Sequence, residues 1–256
     1  MNPFKLMRAH FLFILFAGIL FSSCSKETEE FQTEALADYL PTQPGKYITY
    51  RVDSTVFINF GANIVIRSYQ EKHQIDALLT DNLGRPAYRV FRYLRDEGGG
   101  DPWQPAGSYF ITPLNNTVEL VENNLRFLKM AAPIKEGNNW KGNRFLPADP
   151  YGSFYEFSND DAMLDWDYIY TDNGKSVTLG GKTYPNTITV EQIKDSTNIP
   201  VINVGAYGFI NYSTSTYAKG IGLIYEEVRM WEYQPPSTPR PGYRGFGLKR
   251  SIIDHN

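Results

Sequence analysis

From Gly45 onward apolar residues recur at every second position, and this period limits what the chain can fold into more than any other feature. Ile48, Tyr50, Val52, Val56 and Ile58 share one face, and Thr49, Arg51, Asp53 and Thr55 share the other. Such alternation belongs to a strand with one buried side. Gly61-Ala62-Asn63 then turns the chain into residues 64–80, where Val65, Tyr69, Ile75 and Leu79 stand among Arg67, Glu71, Lys72 and Gln74. This reads as the return arm of a long hairpin. After the turn Asp81-Asn82-Leu83-Gly84, residues 85–95 supply a third strand, with Tyr88, Val90 and Leu94 opposite Arg89, Phe91 and Tyr93.

The same grammar continues to the C-terminus. Short strands are expected at 109–112, 117–121 and 125–130, separated by Asn-Asn pairs, and longer ones at 184–193, 207–217, 221–233 and 243–253. Gly220 and Gly222 suggest a bulge, and Pro235–Pro241 (PPSTPRP) a rigid loop. Residues 133–150 read as a tucked loop around Trp140, because its glycines and asparagines favour turns while the indole invites burial. Residues 160–170 read as a turn of helix followed by a strand from Trp166, with Asp172-Asn173-Gly174-Lys175 as a further hairpin turn. The 18 Tyr, 16 Phe and 4 Trp lie among Thr, Val and Ile, which is strand composition. The expected fold is therefore all-β and mainly antiparallel. It is a single domain over 45–256 with few short helices, its sheet strongly curved or partly closed like a barrel to protect its edges.

The N-terminus follows a different pattern. Lys5 and Arg8 precede the apolar run FLFILFAGILF at 11–21, and Ser22-Ser23-Cys24 closes it, the three-part layout of an export signal. The run is too short to span a bilayer, which takes roughly 20 apolar residues. Residues 20–24 resemble a lipobox, with Phe21 where an aliphatic residue is usual. That resemblance implies a signal peptide over 1–23, cleavage before Cys24 and lipidation of its sulfur, acyl chains then holding the protein on the membrane. Residues 24–44 read as an acidic tether with a short helix. The stretch Ser25-Lys26-Glu27-Thr28-Glu29-Glu30 is similar to the surface-export tag of Bacteroidota lipoproteins, and equally to a solvated linker.

Removal of residues 1–23 takes away Lys5 and Arg8 and moves the formal net charge from −3 to −5. Acidic and basic residues are interspersed, so the polybasic stripe that a nucleic-acid backbone demands is absent. With Cys24 used for lipid, no thiol remains for a disulfide, and His73 and His255 are the only histidines past the leader. A metal cluster, a cofactor and a nucleophilic triad are therefore not expected. His73, among charged neighbours, reads as an exposed or half-exposed strand residue. Asp160, Asp161, Asp165 and Asp167 read as a solvated acidic turn rather than a calcium loop or glycosidase pair. Trp103 and Trp140, placed in polar loops, are the candidate ligand contacts.

Two segments, Pro133-x3-Gly137-x2-Trp140-Lys141-Gly142-Asn143 and residues 217–225 (YAKGIGLIY), resemble motifs of outer-membrane and surface lipoproteins of Bacteroidota that have a curved antiparallel sheet and no assigned function. The glycines of the second segment need no ligand, since Gly within a strand marks a bulge or close backbone approach. The resulting expectation is a lipid-anchored, non-enzymatic binding or interaction module of the outer membrane or cell surface. Its partner would be a glycan, a lipid or an envelope protein. The alternatives are an envelope glycan hydrolase using a carboxylate pair and a structural subunit of an envelope complex, the latter marked by a large exposed apolar patch.

Overall fold

The computed structural model describes residues 34–40, 42–155, 157, 158, 160 and 162–256. The leader, Cys24 and the first part of the tether lie outside the described residues. Twelve strands follow in order: β1 Tyr47–Ile58, β2 Asn63–Thr80, β3 Pro86–Asp96, β4 Gln104–Pro113, β5 Thr117–Glu122, β6 Leu125–Ala131, β7 Asn139–Lys141, β8 Asp167–Leu179, β9 Lys182–Thr197, β10 Gly208–Ala218, β11 Gly222–Gln234 and β12 Gly242–His255. The regular helical structure among the described residues is two 3-10 turns, Leu36–Tyr39 and Met163–Asp165.

All strands join one sheet in the order β6-β5-β4-β3-β2-β1-β12-β11-β10-β9-β8-β7. Every pairing is antiparallel. The first and last strands of the domain pair with each other, Val52 opposite Arg250 and Ser54 opposite Leu248. The fold is thus two meanders sharing a central seam, curled so that their outer strands meet. At that meeting Leu128 N–H donates to the Gly142 carbonyl at 2.8 Å, and Trp140 Nε1–H donates to the Leu128 carbonyl at 2.8 Å. Beside them Tyr170 Oη donates to the Ala131 carbonyl at 2.9 Å. The two side-chain links, from Trp140 and Tyr170, stand in for ladder bonds that the three-residue β7 is too short to make. The sheet is a nearly closed barrel, and a closed sheet leaves little free edge.

The expected turn at 172–175 is not a turn: these residues lie inside β8, which runs on to Leu179. Three register shifts against β9, between Tyr170 and Asp172, Asn173 and Lys175, and Lys175 and Val177, absorb the Gly174 irregularity as bulges. Bulges use the same small and polar residues as turns, which is why the two look alike in sequence. Gly245 on β12 shows the close approach that only glycine allows. Its φ is +108°, and a Cβ there would sit 2.2 Å from the Met230 carbonyl oxygen.

Apolar side chains fill the barrel in two clusters. The larger includes Ile75, Val90, Ile111, Met130, Tyr170 and Ile188, and the smaller is built around Tyr50, Val52, Ile224 and Ile252. The turn Leu36–Tyr39 covers the end at which β1 starts: Leu36 and Tyr39 are buried, and Gly220 N–H donates to the Asp38 carbonyl at 2.7 Å. The long β7–β8 connection serves the opposite end, with Tyr155 stacked on Phe246 at 4.7 Å between ring centroids.

Candidate functional site: a charged belt inside the barrel

Period-two strands in a barrel send alternate side chains into the lumen. On β2 the inward set is Tyr69, Glu71, His73 and Ile75; on β11 it includes Glu226, Val228 and Met230; on β12 it includes Phe246, Leu248 and Arg250. These residues line a cavity of about 840 Å³ whose wall runs from Lys46, Tyr47 and Asn256 at one end to Phe57, Tyr243 and Arg244 at the other. That volume falls within the range of about 300–1,000 Å³ found for small-molecule sites.

A chain of alternating charge crosses this cavity. Lys129 Nζ on β6 lies 3.6 Å from Glu226 Oε1 on β11, and Glu226 Oε2 accepts from Arg250 Nη1. Arg250 Nε donates to Glu71 Oε2 at 2.7 Å. Arg92 Nη1 then stands 3.5 Å from Glu71 Oε1 and 2.9 Å from Glu122 Oε1. Because β6 and β11 are far apart in the sheet order, the Lys129–Glu226 contact spans the lumen rather than following the wall.

Arg250 fixes the charge state of the belt. Burial alone would raise the Glu71 carboxyl, which is 2% exposed, but the Arg250 guanidinium and the His73 ring together hold it well below the usual carboxylate range. Glu226 is treated the same way, with burial opposed by Arg250 and then Lys129. For Arg250 burial works against the charge, yet Glu71 and Glu226 together keep the guanidinium protonated. Both glutamates are therefore ionised and neither is a proton donor at neutral pH.

His73 is a correction to the sequence reading. Its side chain is inside, not half-exposed, with Nδ1 3.0 Å from Tyr109 Oη and its ring edge-on to Tyr50 at 5.1 Å. Nε2 is 3.3 Å from Glu71 Oε1 but outside hydrogen-bond geometry. The cause is phase: His73 shares the inward parity of Tyr69 and Ile75, a stronger indicator than the polarity of its neighbours. Tyr109 and Tyr217 on the same wall have their hydroxyls pushed up by burial.

Trp103 lies outside the barrel on the β2–β3 face, its ring 4.1 Å from the Arg95 guanidinium carbon and 5.0 Å from Lys72 Nζ. Trp140 packs on Tyr170 at 4.8 Å and uses its indole N–H to hold the seam. The structure does not bring the two together, and the cavity wall is made by other residues. Asp160 departs from the solvated turn expected of it: it is 1% exposed. Burial, with the Asp149 carboxyl as hydrogen-bond partner, raises it to about 6 against the opposing Tyr151 N–H. Asp165 and Asp167 do not share this site: Lys141 Nζ donates to the Asp165 carbonyl and pairs with the Asp167 carboxylate at 3.0 Å. Among the described residues no group of three or more His, Cys, Asp or Glu is arranged to hold a metal ion.

The belt residues went unnoticed in the sequence, although a signal was there. Glu71 interrupts Tyr69-x-x-x-His73-x-Ile75, Glu226 sits between Ile224 and Val228, and Arg250 sits between Leu248 and Ile252. Each is a charge in the phase of the buried face.

No family model and no curated protein matches the chain. Among solved structures, a Bacteroides fragilis protein described as a candidate exported protein with a YmcC-like fold aligns with 83% of this chain and 97% of its own, at 9% identity and a TM-score of 0.39.

Proposed function

We propose that this protein is a lipid-anchored, non-enzymatic binding module of the outer membrane that holds a small amphipathic ligand in its barrel lumen. The observation that carries the reading is the cavity, whose wall combines apolar side chains with a few convergent polar groups, the usual make-up of a ligand site. The anchor rests on Cys24 and its preceding leader. The described body starts at Glu34, ten residues further on, and Glu34 is tied to the barrel through Lys219 at 2.9 Å.

The charge states of the two central cavity glutamates support a binding role over glycan hydrolysis. A glycosidase needs one carboxyl kept protonated beside one kept ionised, whereas Glu71 and Glu226 are both pushed down, by Arg250 first and by the neighbouring His73 and Lys129 after it. Asp160, the raised carboxyl, and its partner Asp149 belong to the β7–β8 connection and are not among the residues that line the cavity.

Two measurements test the proposal. The neutral probe N-phenyl-1-naphthylamine should give saturable fluorescence enhancement with the purified protein, and Val228→Trp, which fills the lumen, should abolish it. Unsaturable binding, or binding unchanged in Val228→Trp, refutes a lumenal site. Palmitate labelling and membrane fractionation should both be lost in Cys24→Ala; a native chain that takes up no label refutes the anchor.

A further inference from the structure

We propose that the lumenal ligand is an anionic single-chain amphiphile, with its headgroup on the Lys129 ammonium and its hydrocarbon tail running along Val228, Leu248 and Phe246 toward the end where β12 begins. This rests on the lumenal binding reading and adds the chemical class and orientation of the ligand.

The first support is charge. The whole chain is acidic, at a formal −3. Among the described residues the cavity wall nevertheless carries five basic side chains, Lys46, Arg92, Lys129, Arg244 and Arg250, against the carboxylates of Glu71, Glu122 and Glu226. An acidic protein with a cationic lumen concentrates anions there, because low-dielectric walls focus the field of the lining charges.

The second support is the uneven engagement of the belt. Each carboxylate already has a guanidinium: Glu71 and Glu226 have Arg250, and Glu122 has Arg92. A cationic headgroup would have to displace one of them. Lys129 differs, since its nearest carboxylate oxygen is 3.6 Å away on a glutamate that Arg250 binds more closely. An ammonium has three donors, so Lys129 can accept a carboxylate, sulfonate or phosphate without breaking the belt.

The third support is direction. Going along β11 from the belt, Glu226 is followed on the inward face by Val228 and Met230, and along β12 Arg250 is preceded by Leu248 and Phe246. On both strands the stretch between the belt and Arg244 at the far end of the wall is apolar. A tail lying there removes its methylenes from water, while the headgroup stays on the belt.

The test uses the purified delipidated protein and three probes of matched chain length: a fluorescent fatty carboxylate, its neutral methyl ester and a quaternary ammonium analogue. The carboxylate should bind at least tenfold more tightly than the ester, and the ammonium analogue least tightly. Lys129→Gln should remove the preference for the carboxylate and leave ester binding within about twofold, whereas Lys129→Arg should retain it. The exposed change Lys194→Gln should do nothing. Equal binding of carboxylate and ester, or a preference that survives in Lys129→Gln, overturns this ligand class while leaving the lumenal site standing. Failure of all three probes to bind the native protein overturns both.

Discussion

Replacing Arg250 by Met should expose how strongly the barrel depends on its belt. The guanidinium binds Glu71 and Glu226, which are 2% and 7% exposed, so its removal strands two buried carboxylates. Removing one partner of a buried pair costs roughly 3–5 kcal/mol. Arg92 at 3.5 Å from Glu71 and Lys129 at 3.6 Å from Glu226 remain, which places the expected loss near the lower figure, about 3 kcal/mol at pH 8. The loss should depend on pH with a definite sign. In the native protein both glutamates are held below their unfolded values, so their contribution is present above about pH 4.5 and fades only as pH falls through the lowered folded values. Without Arg250, burial raises them above their unfolded values, and stability then falls as pH rises. At pH 5 protonating each glutamate costs below about 1 kcal/mol, so the deficit should shrink to roughly half or less. Urea unfolding followed by tryptophan fluorescence at pH 5 and pH 8 measures both numbers from the midpoints, provided the slope is unchanged. The triple variant Arg250→Met, Glu71→Gln, Glu226→Gln should recover most of the loss, because it removes the stranded charges as well. A loss under 1 kcal/mol at pH 8, an equal loss at the two pH values, or a triple variant no better than the single would refute the reasoning.

Trp140→Phe keeps an aromatic ring beside Tyr170 but removes the donor to the Leu128 carbonyl; it should cost about 1–2 kcal/mol in urea unfolding and speed amide exchange in β6 and β7 more than elsewhere. Asp160 is raised to about 6 from a usual 3.8 by burial beside Asp149, so its neutral form stabilises the fold below about pH 4 and that contribution is lost as pH rises through 6. Asp160→Asn should therefore be more stable than the native protein at pH 8 by roughly 1–3 kcal/mol, with the difference disappearing near pH 4; a pH-independent difference in thermal midpoint would contradict this.

Much of the architecture could be read from parity alone. The stretch from Ile48 to Ile58 and its hairpin partner gave β1 and β2, and the Gly220–Gly222 irregularity lies at the start of β11, where the pairing with β10 shifts register at Thr216/Tyr217. Less could be read where local signals compete. The 172–175 segment has turn chemistry, yet long antiparallel neighbours keep it in the sheet as successive bulges. The three-residue β7 is too short to show a period, and the seam it forms with β6 depends on an indole and a phenol reaching across, which no local pattern reports.

The site was harder to see for a related reason. A charge within a strand ordinarily marks a solvent-facing position, and tryptophans in polar loops are the conspicuous recognition candidates. Parity contained the better clue, since Glu71, Glu226 and Arg250 stand in the inward phase of their strands. What sequence cannot supply is the pairing across the lumen. Glu71 and Arg250 are 179 residues apart, and only the β1–β12 seam makes them neighbours.

The most direct test of a ligand-filled lumen is photoaffinity labelling with a fatty carboxylate that carries a diazirine at mid-chain, followed by peptide mapping of the adducts. The account predicts adducts on the inward residues of β11 and β12, Val228, Phe246 and Leu248, and their loss in Val228→Trp. Adducts confined to outward positions such as Phe91 and Trp103, with β11 and β12 unlabelled, would contradict it.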